Sequence, residues 1–378
     1  MAGLYLHIPY CVKKCDYCDF TSFPLDDTLG DYVAALCGEI ALTAKANLCA
    51  GPFDTAYLGG GTPSLLGGDQ LGRVMDALRE HFPLVSGAEC SMECNPGTAS
   101  AENLRAYRVS GVNRLSVGLQ TSHDSLLASV GRIHTYAQFR DTIKAARAAG
   151  FENISVDVMH GLPGQTQKAY LDTLRVVCDM DVQHVSSYAL TLAEDTPLGR
   201  RVKSGEIVLP DADAVADMQD AGIDYLASRG YLRYEISNFA REGYACRHNL
   251  NYWNNGEYLG FGVAAHSAVR MREWTRYANV DTIREYLRLI GRKRRPVREI
   301  IRLFPADEMF ESVMLGLRLT AGVDRAAFRA RFGVDLADAY ASAMECLRER
   351  GWVVETPERI CLTRRGLDLQ NEALGYFM

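Results

Sequence analysis

No stretch of this chain approaches the roughly 20 consecutive apolar residues of a membrane span, so none of it reads as an integral membrane segment. An excess of positive charge is also lacking. Lys and Arg number 41 against 47 Asp and Glu, a net charge of −6, which disfavours general nucleic-acid binding. There are no internal repeats and no low-complexity segments, so a solenoid or a disordered array is not expected. Nothing before the first apolar strand reads as a signal peptide. With eleven cysteines, that points to a reducing cytosol and a cytoplasmic protein. The 378 residues, 48% hydrophobic and 23% charged, are ordinary for a globular chain and suffice for one large domain and a small one.

Three of the cysteines stand out. Cys11-Val12-Lys13-Lys14-Cys15-Asp16-Tyr17-Cys18 sets thiols at a C-x3-C-x2-C spacing. A strand would point them to alternating faces, so the spacing calls for a tight loop that turns them to one point. A disulfide suits an odd set in one loop poorly. A zinc site of the Cys3His kind is open, because His7 lies four residues before Cys11. The third reading is a [4Fe–4S] cluster, which usually takes four thiolates. The next cysteine is Cys37, so one iron would keep a position for an exchangeable ligand.

Strands are expected over Leu4–Ile8, Phe53–Leu58, the stretch ending at Cys90–Pro96, Val112–Leu119, Ile154–Met159 and His184–Leu190. Helical patterns fall between them: Leu29–Ala46, Leu71–Phe82, Ala101–Ser110, Tyr136–Ala149 and Ala169–Val177. This alternation implies a parallel sheet with crossover helices, an α/β fold whose six units make a partial (β/α)6 barrel. Sites in such sheets gather at the carboxyl ends of the strands. The cysteine loop falls there, as does Gly59-Gly60-Gly61-Thr62-Pro63, whose glycines let backbone approach a ligand. Glu93, Gln120 and Asp157 sit at or near later strand ends, and Arg132 follows the fourth strand. Singly, each reads as a cap or a surface pair; together they line one rim.

Past Leu192 the pattern changes. A helix is expected over Asp211–Arg229, a strand over Leu232–Phe239, and an apolar, Gly-rich strand over Tyr258–Val269. The basic run Arg292-Lys293-Arg294-Arg295 reads as a solvated linker, or as a contact with anionic membrane lipid. Helices over Glu308–Leu319, Arg325–Phe332 and Asp335–Glu349, then a hairpin of Trp352–Glu355 and Arg359–Leu362, suggest a small helical, winged-helix-like C-terminal domain. The expected division is residues 1–290 and 300–378.

The cysteine spacing together with Gly60-Gly61-Thr62-Pro63 resembles the radical S-adenosylmethionine (SAM) superfamily. Tyr5-Leu6-His7-Ile8-Pro9 before the first cysteine looks like the oxygen-independent coproporphyrinogen III oxidase group. The resemblance implies a [4Fe–4S] cluster on Cys11, Cys15 and Cys18, with SAM chelating the fourth iron. It implies cofactor contacts at Tyr5, at Tyr17 near the adenine, at Gly60, Gly61 and Thr62 near the methionine end, and at Glu93, Gln120, Arg132, Asp157 and Ala189.

Within the group, the porphyrinogen dehydrogenases carry a fourth cysteine two residues after the third, where this chain has Phe20, and a longer segment before the first; here ten residues precede Cys11. Both departures match the HemW-type haem chaperones, as does His248-Asn249-Leu250-Asn251-Tyr252-Trp253. A neutral imidazole can ligate haem, and Tyr and Trp give a flat wall for a macrocycle. The other reading of that segment is a turn followed by a core tryptophan. His248 is thus the expected haem ligand, with His266 and Cys246 as alternatives. The implied partners are haem and a haem-acceptor protein, perhaps respiratory, with a homodimer as a candidate assembly. The competing function is an enzyme that cleaves SAM and acts on a porphyrinogen.

Overall fold

The computed structural model describes residues 2–49 and 51–378. Its centre is six parallel strands, adjacent in chain order: β1 (Ala2–Ile8), β2 (Phe53–Gly60), β3 (Leu84–Cys94), β4 (Arg114–Gln120), β5 (Asn153–His160) and β6 (His184–Ala189). Register is continuous along their middles, with Leu4 beside Ala56 and Leu115 beside Ile154. Alternation within the strands separates two environments. On β4, Leu115, Val117 and Leu119 are fully buried in the hydrophobic core, whereas Arg114, Ser116, Gly118 and Gln120 face a cavity inside the curved sheet.

Crossover helices cover the outer face: Leu29–Lys45, Gly68–His81, Ala101–Val109, Tyr136–Ala148 and Gln167–Asp179. Their starts are chemically marked. Thr135 accepts from the Gln138 amide while the Gln138 side chain returns to Thr135, a reciprocal cap. Ser100 and Thr166 cap their own helices.

The sheet continues beyond the six strands to a total of 12 and stays open; among the described residues its edges are Val297–Arg302 and Leu232–Arg233. Tyr258–Phe261 lies parallel to β1, so the chain returns to its own beginning. Two expectations need correction here. The strand expected over Tyr258–Val269 is two, Tyr258–Phe261 and His266–Arg270. Gly262 at φ 100° and Ala264 at φ 55° turn the chain between them. The strand expected over Leu232–Phe239 is interrupted, leaving Leu232–Arg233 and Asn238–Ala240. The intervening turn is held by Glu235, which accepts from the Ser237 amide at 3.2 Å.

A second core is built by Val313, Leu317, Phe328, Leu336, Met344, Leu347, Trp352, Ile360 and Leu362. Around it stand helices Pro305–Gly316, Arg325–Phe332 and Ala341–Glu349 and a three-stranded sheet of Val323–Asp324, Arg359–Leu362 and Val353–Glu355. The helix expected over Asp335–Glu349 breaks at Tyr340, whose φ of −125° leaves the helical range. This tail docks on the added strands through charge. Glu308, 5% exposed, accepts from Arg270 and Arg331. The same two guanidiniums stack over Trp274 at 5.0 and 4.6 Å.

Candidate functional site

The cysteine loop follows β1 and is pinned over the carboxyl ends of the strands. The Asp16 amide donates to Val130 O at 3.1 Å, and the Leu198 amide donates to Asp16 O at 2.8 Å. Cys11, Cys15 and Cys18 line one wall of a cavity of about 590 Å³ within the barrel. Thr62 donates to the Cys11 sulfur at 3.5 Å, and Arg132 donates to Cys15 at 3.5 Å.

The zinc reading does not fit this geometry. His7 is engaged at both nitrogens, by Thr21 O at 2.8 Å and the Tyr5 hydroxyl at 2.9 Å. Among the described residues, no three or more His, Cys, Asp or Glu side chains converge on one point closely enough to enclose a single metal ion. Thiols facing a roomy cavity suit a larger inorganic group than one tetrahedral ion, whose sulfur ligands sit about 2.3 Å from the metal.

The glycine stretch is shaped for close approach. Gly60 has φ 111°, a conformation that side chains disfavour. A Cβ on Gly61 would fall 2.7 Å from the Tyr10 carbonyl oxygen. The strand end therefore packs against the cysteine loop with bare backbone, and Gly60, Gly61 and Thr62 all border the cavity.

The rim residues meet in space. Tyr17, Glu93, Gln120, Arg132, Asp157 and Ala189 all line the same cavity. Glu93 accepts from the Gly60 amide at 3.0 Å and from the Tyr57 hydroxyl at 3.1 Å. Burial, reinforced by the nearby Asp157 carboxylate, pushes its pKa up to about 7. Burial likewise raises Asp157, while hydrogen bonds from Ser186 and Ser116 oppose the shift. Gln120, at φ 70°, accepts from Tyr188 at 3.1 Å. Arg132 donates to Asn95 at 3.1 Å and to Gly118 O, yet its Nε is buried without a partner. A free cationic donor beside two carboxylates gives the cavity both signs of charge, as a zwitterionic ligand requires. Tyr5 is not part of this lining. It stands behind the lining, its ring 6.4 Å from that of Tyr57 and its hydroxyl on His7.

The His248 segment forms a short helix, Arg247–Trp253, that closes the amino-terminal end of the barrel. His248 is 1% exposed. Its Nδ1 meets Thr55 at 2.8 Å, its Nε2 meets Tyr252 at 2.9 Å, and its ring stacks on Tyr57 at 5.3 Å. Both nitrogens are occupied, so iron ligation by His248 requires both the ring and Tyr252 to move. Cys246 is fully buried on the same helix end, its thiol donating to Glu89 at 3.4 Å. His266 is exposed on an added strand. The three haem-ligand candidates therefore do not share one site.

Sequence reasoning missed Asn95, Arg114, Ser116, Ser186, Tyr188 and Asn249, which also line the cavity. A signal was present. In Arg114-Leu115-Ser116-Val117-Gly118-Leu119-Gln120, polar or small residues alternate with apolar ones in a strand that would otherwise be apolar on both faces.

The geometry is that of a radical SAM protein, and comparison with known proteins agrees. The family model "Radical SAM superfamily" matches residues 5–177, and "HemN C-terminal domain" matches residues 303–369. Heme chaperone HemW of Bacillus subtilis is 35% identical over 100% of this chain and 99% of its own length. The HemW of Escherichia coli is 34% identical over 100% and 98%, and that of Lactococcus lactis 34% over 99% and 96%. The chain belongs to the HemW family of the radical SAM superfamily. Among solved structures, coproporphyrinogen III oxidase (HemN) of Escherichia coli superimposes with a TM-score of 0.86 at 24% identity, over 100% of this chain and 89% of that one. That likeness establishes the fold. No helix among the described residues is long and apolar enough to cross a membrane.

Proposed function

We propose that this protein is a haem chaperone that binds haem and passes it to an acceptor protein, while holding a [4Fe–4S] cluster and SAM inside the barrel. The observation that carries the reading is the end-to-end likeness to relatives called heme chaperones. Phe20, 63% exposed, stands where a fourth thiol would mark a porphyrinogen dehydrogenase.

Cys11, Cys15 and Cys18 would ligate three irons, and the bound cluster would supply an electron and one open coordination position. Gly60, Gly61 and Thr62 would receive the methionine end of SAM. Glu93 and Asp157 would accept from its ribose hydroxyls, Arg132 would face its carboxylate, and Tyr17 would lie by the adenine. Gln120 and Ala189 would border the ligand, with Tyr5 steadying Tyr57 from behind. Residues 1–290 would form the cofactor-holding body and 300–378 the tail. A cytoplasmic location fits this role. Arg292, Lys293 and Arg294 are exposed and would suit contact with anionic lipid near a membrane-bound acceptor.

The test is transfer. Anaerobically reconstituted protein loaded with haemin is mixed with an acceptor apoprotein, and movement of the Soret band is followed. A parallel incubation supplies coproporphyrinogen III, SAM, a reductant and an electron acceptor. Haem transfer without porphyrinogen turnover is expected; formation of protoporphyrinogen IX would make the protein an enzyme of the dehydrogenase type instead.

A further inference from the structure

A second cavity, of about 570 Å³, lies outside the barrel wall, between β5 and β6, helix Ala212–Ser228 and the C-terminal segment Leu367–Glu372. Its volume falls in the range of roughly 300–1,000 Å³ typical of cofactor sites. Its lining is mixed: Tyr170, Ile223, Ile236, Phe239 and Leu367 form an apolar wall, and Gln219, Asp368, Asn371 and Glu372 stand among the polar residues on the rest.

His160, the last residue of β5, borders this cavity. It is 2% exposed, and neither ring nitrogen has a hydrogen-bond partner. Leaving such a group unsatisfied is costly, and two other buried histidines avoid it. His184 bonds Ser155 at 2.7 Å and Tyr234 at 2.9 Å, and His248 is held by Thr55 and Tyr252. Tyr170, whose ring centroid is 5.2 Å from that of His160, gives its hydroxyl to Ser187 instead, at 2.7 Å. Burial lowers the His160 pKa to about 4, so the ring is neutral and both its acceptor and its donor nitrogen are free. Two more orphaned groups border the same cavity from the tail. Arg318 Nε and Gln370 Nε2 are buried without partners. Of the acidic groups on the rim, Asp368 already lies 3.7 Å from Arg233.

We propose that this outer cleft is the haem site: a His160 nitrogen ligates the iron, the macrocycle lies against the wall of Tyr170, Ile223 and Phe239, and the propionates face Arg318 and Gln370. This rests on the haem-chaperone reading. Ligation places a nitrogen lone pair on ferric iron and displaces a water, with no redox step.

Full-length protein is titrated with haemin and, separately, with metal-free protoporphyrin IX, using wild type, His160→Gln and His248→Ala. His160→Gln should weaken haemin about 10-fold or more, roughly the worth of one strong ligand contact, and revert the Soret band towards free haemin. Added imidazole should restore the band. Protoporphyrin IX affinity should change less than about 3-fold, because the ring still finds its apolar wall. An unchanged haemin spectrum in His160→Gln overturns the assignment, as does equal weakening of both porphyrins, which would mean only a packing role. His160→Gln protein that fails to fold by circular dichroism is replaced by His160→Ala, judged by the same two titrations. A wild type that binds neither porphyrin refutes the chaperone reading itself.

Discussion

Arg132 reaches across 117 residues of sequence to place its Nη1 3.5 Å from the sulfur of Cys15. The contact joins the loop after β4 to the cysteine loop and leaves Arg132 Nε free at the cavity wall. A charge-assisted hydrogen bond contributes about 1.5–3 kcal/mol. Arg132→Met should therefore weaken SAM binding roughly 10- to 100-fold while leaving iron content unchanged. Equilibrium dialysis with labelled SAM on reconstituted protein reads this; unchanged affinity would remove Arg132 from the SAM site.

Replacing Cys11, Cys15 and Cys18 together with Ala should take iron from about four per chain, as one cubane cluster carries, to background. Ala at the other eight cysteines should not. Iron and sulfide analysis of anaerobically prepared protein decides it, and iron that survives the triple replacement places the cluster elsewhere.

Glu93 sets a pH dependence of two opposite signs. Its pKa is raised to about 7 by burial and then by Asp157, so the folded chain without ligand holds the proton more tightly than the unfolded chain. The stability from this group is fully present below about pH 4.5 and is lost as pH rises through about 7. SAM binding should run the other way, because the carboxylate accepts from hydroxyls more strongly than the protonated acid does. SAM affinity is expected to fall from pH 8 to pH 6 in wild type and to be weaker but flatter in Glu93→Gln. A wild-type profile flat across that window would exclude the role.

His248→Ala should cost about 2–4 kcal/mol of stability in urea unfolding, since it strands the Thr55 and Tyr252 hydroxyls and empties a packed floor. Cluster content should be retained. A stability loss below about 0.5 kcal/mol, the level of an ordinary surface change, would mean that the helix does not close the barrel in solution.

Glu308 stands between Arg270 and Arg331. Both arginines are partly exposed, so Glu308→Ala should cost about 2–3 kcal/mol rather than the full value for a buried pair. The two guanidiniums would then face each other across the docking surface. Faster proteolysis between the barrel and the tail is the expected readout; equal cleavage rates would show that other contacts hold the tail.

Much of this was legible in the residues because local chemistry and global position agree. The Cys11–Cys18 loop, the bare backbone at Gly60 and Gly61, and the βα alternation each fix a geometry that no distant contact overrides. What was hidden depends on partners far away in sequence. Whether His248 faces iron or a hydroxyl depends on Thr55, 193 residues away. The break in Tyr258–Val269 arises because Gly262 must pass close to Tyr32 and His7; a Cβ there would sit 2.6 Å from the His7 carbonyl oxygen. Arg114 was overlooked because a strand of six other residues, mostly apolar or small, looks like core until its inward face is known to border a cavity.

Tyr188 and Ala189 of β6 border the barrel cavity on one side and the outer cleft on the other. The partition between the two chambers is a single strand, whose far side pairs over three residues with Asn238–Ala240. A thin partition cannot be pushed from one side without changing the room on the other. If each chamber takes its own ligand, a shift of β6 on filling one alters the affinity of the other by the same factor in both directions. The arrival of SAM and the departure of haem would then be two readings of one free energy.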